Sequence, residues 1–167
     1  MPLEKLEKIS PTRLLGYWKI TENEATLVDR LNTSFDPLER FEKFRAPTTR
    51  LEWLAARAMI EEMDPSFNIA SAGLSNNQDG KPLLNGSRYE LSISQSYPYV
   101  AAIIDKQSVV GIDLEQPKLK MLQIASKFLS NKELSFAKDD LLKISILWSA
   151  KEALNKNYSK RGQTCSK

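Results

Sequence analysis

Two acidic residues two positions apart, Asp113 and Glu115, sit in an otherwise apolar run, Val109-Val-Gly-Ile-Asp-Leu-Glu115. On a strand, residues i and i+2 share a face with Cα atoms about 6.5 Å apart, so both carboxylates can reach one cation. Magnesium suits such a pair, because it takes a few carboxylates and fills its remaining positions with waters and substrate phosphate oxygens. The plain alternative is a pair of solvated carboxylates on an exposed strand face. Val109, Val110, Ile112 and Leu114 favour a strand well inside a sheet, where an acidic pair calls for a cation.

A second pair, Glu152 and Lys156, lies at helical i, i+4 spacing with Glu first, the favourable order. Alone, such a pair reads as an ordinary surface ion pair worth a few tenths of a kcal/mol. Leu147-Trp148 just before it supplies a large apolar anchor for the same helix. A third group could contact phosphate. Arg50 and Arg57 share a helix, Lys81 stands between Gly80 and Pro82 on a constrained loop, and Ser94-Gln95 end a strand. Basic residues on helices usually face solvent, and Ser or Gln at a strand end often only caps or turns.

These residues need elements to hold them. Leu14–Ile20 and, later, Tyr89–Ser94, Val100–Ile104 and Val109–Glu115 read as strands, with Pro98 and Asp105-Lys-Gln107 marking turns. Ala25–Leu31 reads as a short helix, and Asp36-Pro37 as a cap followed by proline at a first helical position. A longer helix opens near Pro47, with Leu51, Leu54, Ala55, Ala58, Met59 and Met63 at helical spacing, and Asp64-Pro65 closes it. Asn76–Gly80 is a turn signal. Leu122–Leu129 is helical, Ser130-Asn-Lys-Glu133 matches a capping box, and Leu141–Lys156 is the longest helix of the second half. The tail from Asn157 is polar and unpatterned. The fold class expected is α+β.

Composition bounds the chemistry. The 167 residues are 41% hydrophobic and 27% charged, a globular balance, with net charge +3 and pI about 8.9. The basic bias is mild and lacks a long basic run, so phosphorylated small molecules or an acidic protein partner are expected rather than nucleic acid. There is no histidine and only one cysteine, Cys165, which removes Ser-His-Asp and Cys-His catalysis, an internal disulfide and the usual zinc site. Met1-Pro-Leu-Glu-Lys lacks the pattern of a signal peptide, and no apolar run approaches a membrane span, so no membrane partner is expected and the cytoplasm is the default location.

The order and spacing of these motifs resemble the surfactin-synthetase type of 4'-phosphopantetheinyl transferase. Gly80-Lys81-Pro82, Ser94-Gln95, Gly111-Ile-Asp113-Leu-Glu115 and Trp148-Ser-Ala-Lys151-Glu152-Ala-Leu-Asn-Lys156 look like that family's motifs in sequence order, and Arg50–Arg57 looks like its early arginine helix. The resemblance implies two similar α+β halves, divided here as 1–105 and 106–167. It implies magnesium held by Asp113, Glu115 and Glu152 against the pyrophosphate of coenzyme A. Glu152 would take the proton from the serine of an acyl or peptidyl carrier protein, and Lys156 would steady the leaving phosphate. Arg50 and Lys81 would contact the nucleotide's phosphates, with Ser94 and Gln95 beside them.

Two departures shape the expectation. Gln95 stands where the family has histidine, so it offers a neutral hydrogen bond in place of a charged one. Eleven residues follow Lys156, where the family continues with further strands, so the second half is expected to be shortened, with an open sheet edge. Transfer of phosphopantetheine from coenzyme A is the leading expectation; binding of coenzyme A or a carrier protein without transfer is the alternative.

Overall fold

A four-stranded antiparallel sheet carries the core. In the computed structural model, which describes residues 3–31, 38–63, 67, 73–78 and 80–158, the chain is α+β. Strand β2 (Arg13–Lys19) alternates strictly between half-buried and buried positions and sends Leu14 and Trp18 into the core. It pairs antiparallel with β6 (Tyr99–Asp105), which pairs antiparallel with β5 (Glu90–Ser96). Strand β1 (Leu3–Ser10) completes the antiparallel order β1-β2-β6-β5. Nothing in the sequence pattern marks β1 as a strand: Leu6 and Ile9 recur every third residue and are exposed. Its Lys and Glu residues instead make the charged edge that discourages pairing with another chain.

Helix α1 (Glu24–Arg30) starts at Asn23, whose side chain accepts from the Thr26 N–H. Helix α2 (Pro47–Glu62) has proline at its start and buries every residue from Trp53 to Ile60. It lies so close to β2 that a Cβ on Gly16 would be 3.2 Å from Met59 Sδ. Between the two helices a 3-10 turn, Leu38–Lys43, brings Phe41 to the core. The larger core spans Leu14 to Ile104 and joins the sheet to both helices. At the end of β6, Asp105 is buried against Arg13 Nε at 2.7 Å. Burial pushes its carboxyl up, but the Gln107 N–H, the Arg13 guanidinium and the Ser108 N–H outweigh that and hold it below its ordinary value.

The expected turn at 76–80 closes a hairpin between β3 (Leu74–Asn76) and β4 (Pro82–Leu84). Asn77 Oδ1 accepts from the Lys81 N–H at 2.8 Å, and Gly80 takes a φ of +82°, which glycine adopts without strain. Beyond the sheet come α3 (Lys120–Ile124) with a 3-10 turn over Ala125–Lys127, then α4 (Asn131–Ala137) and α5 (Leu141–Tyr158). The capping box is present in full: Ser130 caps Glu133, and Glu133 returns to the Ser130 N–H. A second, smaller core gathers Met121, Ala125, Leu129, Ala137 and Ile144, with Trp148 edge-on to Phe128 at 4.7 Å.

One expected element does not form. Val109–Glu115 is not a strand of the sheet. The N–H groups of Ile112 and Leu114 donate to the hydroxyls of Ser92 and Ser94 on β5, each at 3.1 Å, so side chains of β5 hold the segment and no ladder forms. Asp36-Pro37, Asp64-Pro65, Asp79 and Cys165 lie outside the described residues. Among the described residues no helix is long and apolar enough to cross a membrane.

Candidate functional site

Ser94 is the hub of a polar network between β5, the 109–115 segment and α5. Its buried hydroxyl donates to Asp113 Oδ1 at 3.0 Å and accepts from the Leu114 N–H. Lys156 donates into the same point, 2.8 Å from Asp113 Oδ1, 3.0 Å from Ser94 Oγ and 3.1 Å from the Ile112 carbonyl. The Asp113 side chain is 6% exposed and Lys156 33%. An ammonium with three oxygens around it in a shielded site is firmly placed, because charge-assisted bonds gain strength as water is excluded.

Glycine brings α5 close enough for this. A Cβ on Gly111 would fall 1.9 Å from the Ala153 carbonyl oxygen and 3.1 Å from the Asn157 backbone nitrogen, so the segment and the helix meet backbone to backbone. Asn157 Nδ2 donates to the Val109 carbonyl one step further on, at 3.4 Å. The other end of α5 is fixed by the second core, through Leu147 and Trp148. Between them Lys151 reaches Glu133 at 3.0 Å and ties α5 to the start of α4. The Ser130 N–H, the Lys151 ammonium and the Ser130 hydroxyl together hold the Glu133 carboxyl down at about 2.

Next to the network lies a cavity of about 480 Å³. It is lined by Ser94, Gln95, Asp113, Glu115 and Lys156, by Trp53, Ala56 and Arg57 of α2, and by residues of the β3–β4 hairpin. Arg57 is nearly buried, with its guanidinium 3.3 Å from the centre of the Trp53 ring. A cation stacked on an aromatic wall beside a cavity is a natural contact for an anionic ligand. The resemblance singled out Arg50 for the phosphates, but Arg57 is the α2 arginine that lines the cavity. Arg50, seven residues earlier, pairs with Glu24 through Nε at 2.7 Å and lies over the Phe41 ring.

The expected site residues therefore divide. Ser94, Gln95, Asp113, Glu115 and Lys156 come together on the cavity wall. Gln95 is exposed, and its Nε2 donates to the Glu52 carbonyl at 3.0 Å. Lys81 sets its Nζ 3.5 Å from the Lys156 carbonyl. Arg50, Lys81 and Glu152 are not among the residues that line the cavity; Glu152 is half-buried, one helical turn before Lys156. Among the described residues no group of three or more His, Cys, Asp or Glu is gathered as a metal site. What fits magnesium is a two-carboxylate form: Asp113 keeps a buried Oδ2 with no hydrogen-bond partner, and Glu115, two residues on, is exposed and lines the same cavity.

No protein-family model matches the chain, and no curated protein matches it. The class defined by fold and site is thus an α+β chain with a polar, cation-bearing cavity at the edge of an antiparallel sheet.

Proposed function

We propose that this cavity binds coenzyme A and that the chain transfers the phosphopantetheine arm to a serine of an acyl or peptidyl carrier protein. The observation that carries the reading is the convergence of Ser94, Gln95, Asp113, Glu115 and Lys156, drawn from three separate motifs, on one cavity. The division into halves at residues 105 and 106 belongs to the same reading, since the larger core ends with Ile104 and the smaller begins with Met121. So does a cytoplasmic setting, where coenzyme A and magnesium meet the carrier.

In this reading the serine oxygen bonds to the phosphorus on the pantetheine side of the pyrophosphate. The bond from that phosphorus to the bridging oxygen breaks, 3',5'-ADP departs, and the serine proton passes to a carboxylate. Positioning and charge neutralisation supply most of the rate in such a transfer. Magnesium, when bound, neutralises pyrophosphate charge. Asp113 and Glu115 are the cavity carboxylates that would hold it, with Glu152 as the third carboxylate by resemblance. Arg57 and Lys156 both offer positive charge to the cavity, and Lys81 stands against the Lys156 carbonyl. Glu152 is the α5 carboxylate assigned to accept the serine proton, which requires its side chain to turn toward the cavity.

The position of Glu152 off the cavity wall favours a second reading, in which the chain binds coenzyme A or a carrier without transfer. Incubation with coenzyme A, magnesium and an apo carrier, followed by mass spectrometry of the carrier, separates the two. A carrier that gains the phosphopantetheine mass supports transfer. An unchanged carrier, with coenzyme A binding measured by calorimetry, supports binding alone, and absence of both sinks the proposal.

A further inference from the structure

We propose that Lys156 is a resident cation that holds the metal position shut, and that a divalent ion takes Asp113 only by displacing the Lys156 ammonium. The inference rests on the magnesium reading of the cavity given above and adds to it a competitor built into the chain. Asp113 Oδ1 is occupied by Lys156 at 2.8 Å and by the Ser94 hydroxyl at 3.0 Å. Its Oδ2 is buried with no hydrogen-bond partner, and the side chain as a whole is 6% exposed. A carboxylate so enclosed has one strong positive neighbour, and that neighbour is on a flexible four-carbon stem. Two cations a few ångströms apart in a shielded site repel strongly, so an ion on Oδ2 and the ammonium on Oδ1 of the same carboxylate oppose one another.

The rest of the network survives the exchange. Ser94 keeps its bond to Asp113 and its acceptance of the Leu114 N–H, and Ser92 still accepts from Ile112, so the 109–115 segment stays in place when the ammonium leaves. Lys156 lines the cavity, so the displaced ammonium becomes available to an anionic ligand there. Metal and anion binding are thereby coupled: an ion on Asp113 releases the cation that the anion needs, and an anion that draws Lys156 away opens Asp113 to the ion. Such coupling is reciprocal by thermodynamic necessity.

The test uses manganese(II) as the probe, titrated against the whole chain and read by loss of the free-ion electron paramagnetic resonance signal. Lys156→Met, which removes the charge and keeps the length, is expected to bind manganese about tenfold or more tightly than wild type, the low end of what a close like charge does to a shielded cationic equilibrium. Lys156→Arg keeps the charge and is expected to stay near wild type, and Asp113→Asn to lose binding. Mass-spectrometric amine labelling of the wild-type chain gives a reading that needs no variant to fold: labelling of Lys156 should rise when manganese is added, with exposed Lys132 unchanged. Manganese binding that Lys156→Met leaves equal or weaker, or Lys156 labelling that manganese leaves flat, overturns the inference while the magnesium reading stands. Absence of manganese binding in every variant overturns both together.

Discussion

A side chain on Gly111 would collide with the carbonyl oxygen of Ala153, 1.9 Å from its first carbon. The 109–115 segment and α5 touch through bare backbone at this point, and the Lys156–Asp113 contact lies one turn beyond it. Glycine at 111 is thus a requirement of close approach, where the sequence motif alone left its reason unstated.

Gly111→Ala should push α5 off the segment. We expect a loss of about 1–3 kcal/mol in urea unfolding, the range for overpacking, and increased amine labelling of Lys156. The larger core, to which Gly111 does not belong, should keep its far-ultraviolet signature. A substitution that leaves both stability and Lys156 labelling unchanged contradicts the packed arrangement.

Asp113→Ala removes the partner of a half-buried ammonium and the oxygen that would face magnesium. Magnesium-dependent binding of coenzyme A, measured by calorimetry with and without chelator, should disappear. Stability should fall by roughly 1–3 kcal/mol, the cost of leaving a shielded group without its partner. Binding that persists at wild-type affinity rules out the metal role of this carboxylate.

Gln95→His introduces a side chain able to carry charge beside the cavity. The change removes the bond to the Glu52 carbonyl, worth about 0.5–1.5 kcal/mol. It should nonetheless tighten coenzyme A binding, most clearly at low salt, where screening is weakest. Equal affinities at low and high salt for both forms would mean that position 95 does not read the phosphate.

Acid should loosen α4 from α5 through Glu133. Its carboxyl is held at about 2 in the folded chain, below the ordinary 4.5. The folded state therefore binds this proton less readily than the unfolded state. The contribution is complete above the ordinary value and is lost as pH falls toward 2. Thermal melts of wild type and Glu133→Gln should differ most near neutrality and converge only as pH falls to about 2. A gap that is constant with pH would remove Glu133 from this role.

The sequence pattern carried the elements well where local signals are strong. The aromatic and apolar run from Leu14, the helical spacing after Pro47 and the Ser130–Glu133 box all describe what forms. It failed where the deciding contact is distant. The apolar run from Val109 reads as a strand, but Ser92 and Ser94 take its N–H groups with hydroxyls, and no local pattern announces a side chain as the pairing partner. Arg50 and Arg57 look alike on paper. Glu24, 26 residues before Arg50, claims one, and Trp53, one turn before Arg57, turns the other to the cavity wall. Likewise, i, i+4 spacing puts Glu152 and Lys156 on neighbouring positions, but the longer lysine stem reaches the cavity and Glu152 does not line it.

The two serine hydroxyls of β5 have a further consequence for motion. Strands β5 and β6 are joined by a continuous ladder, whereas the 109–115 segment hangs on Ser92, Ser94 and the Lys156 contacts. Releasing those bonds, with the Asn157 contact to the Val109 carbonyl, frees the segment while every rung of the sheet stays closed. The amides of Ile112 and Leu114 should accordingly exchange with deuterium by a sub-global opening of lower free energy than the one that exposes Val100 or Ala102. The segment that carries Asp113 and Glu115 is then a separately opening unit mounted on a more firmly paired sheet.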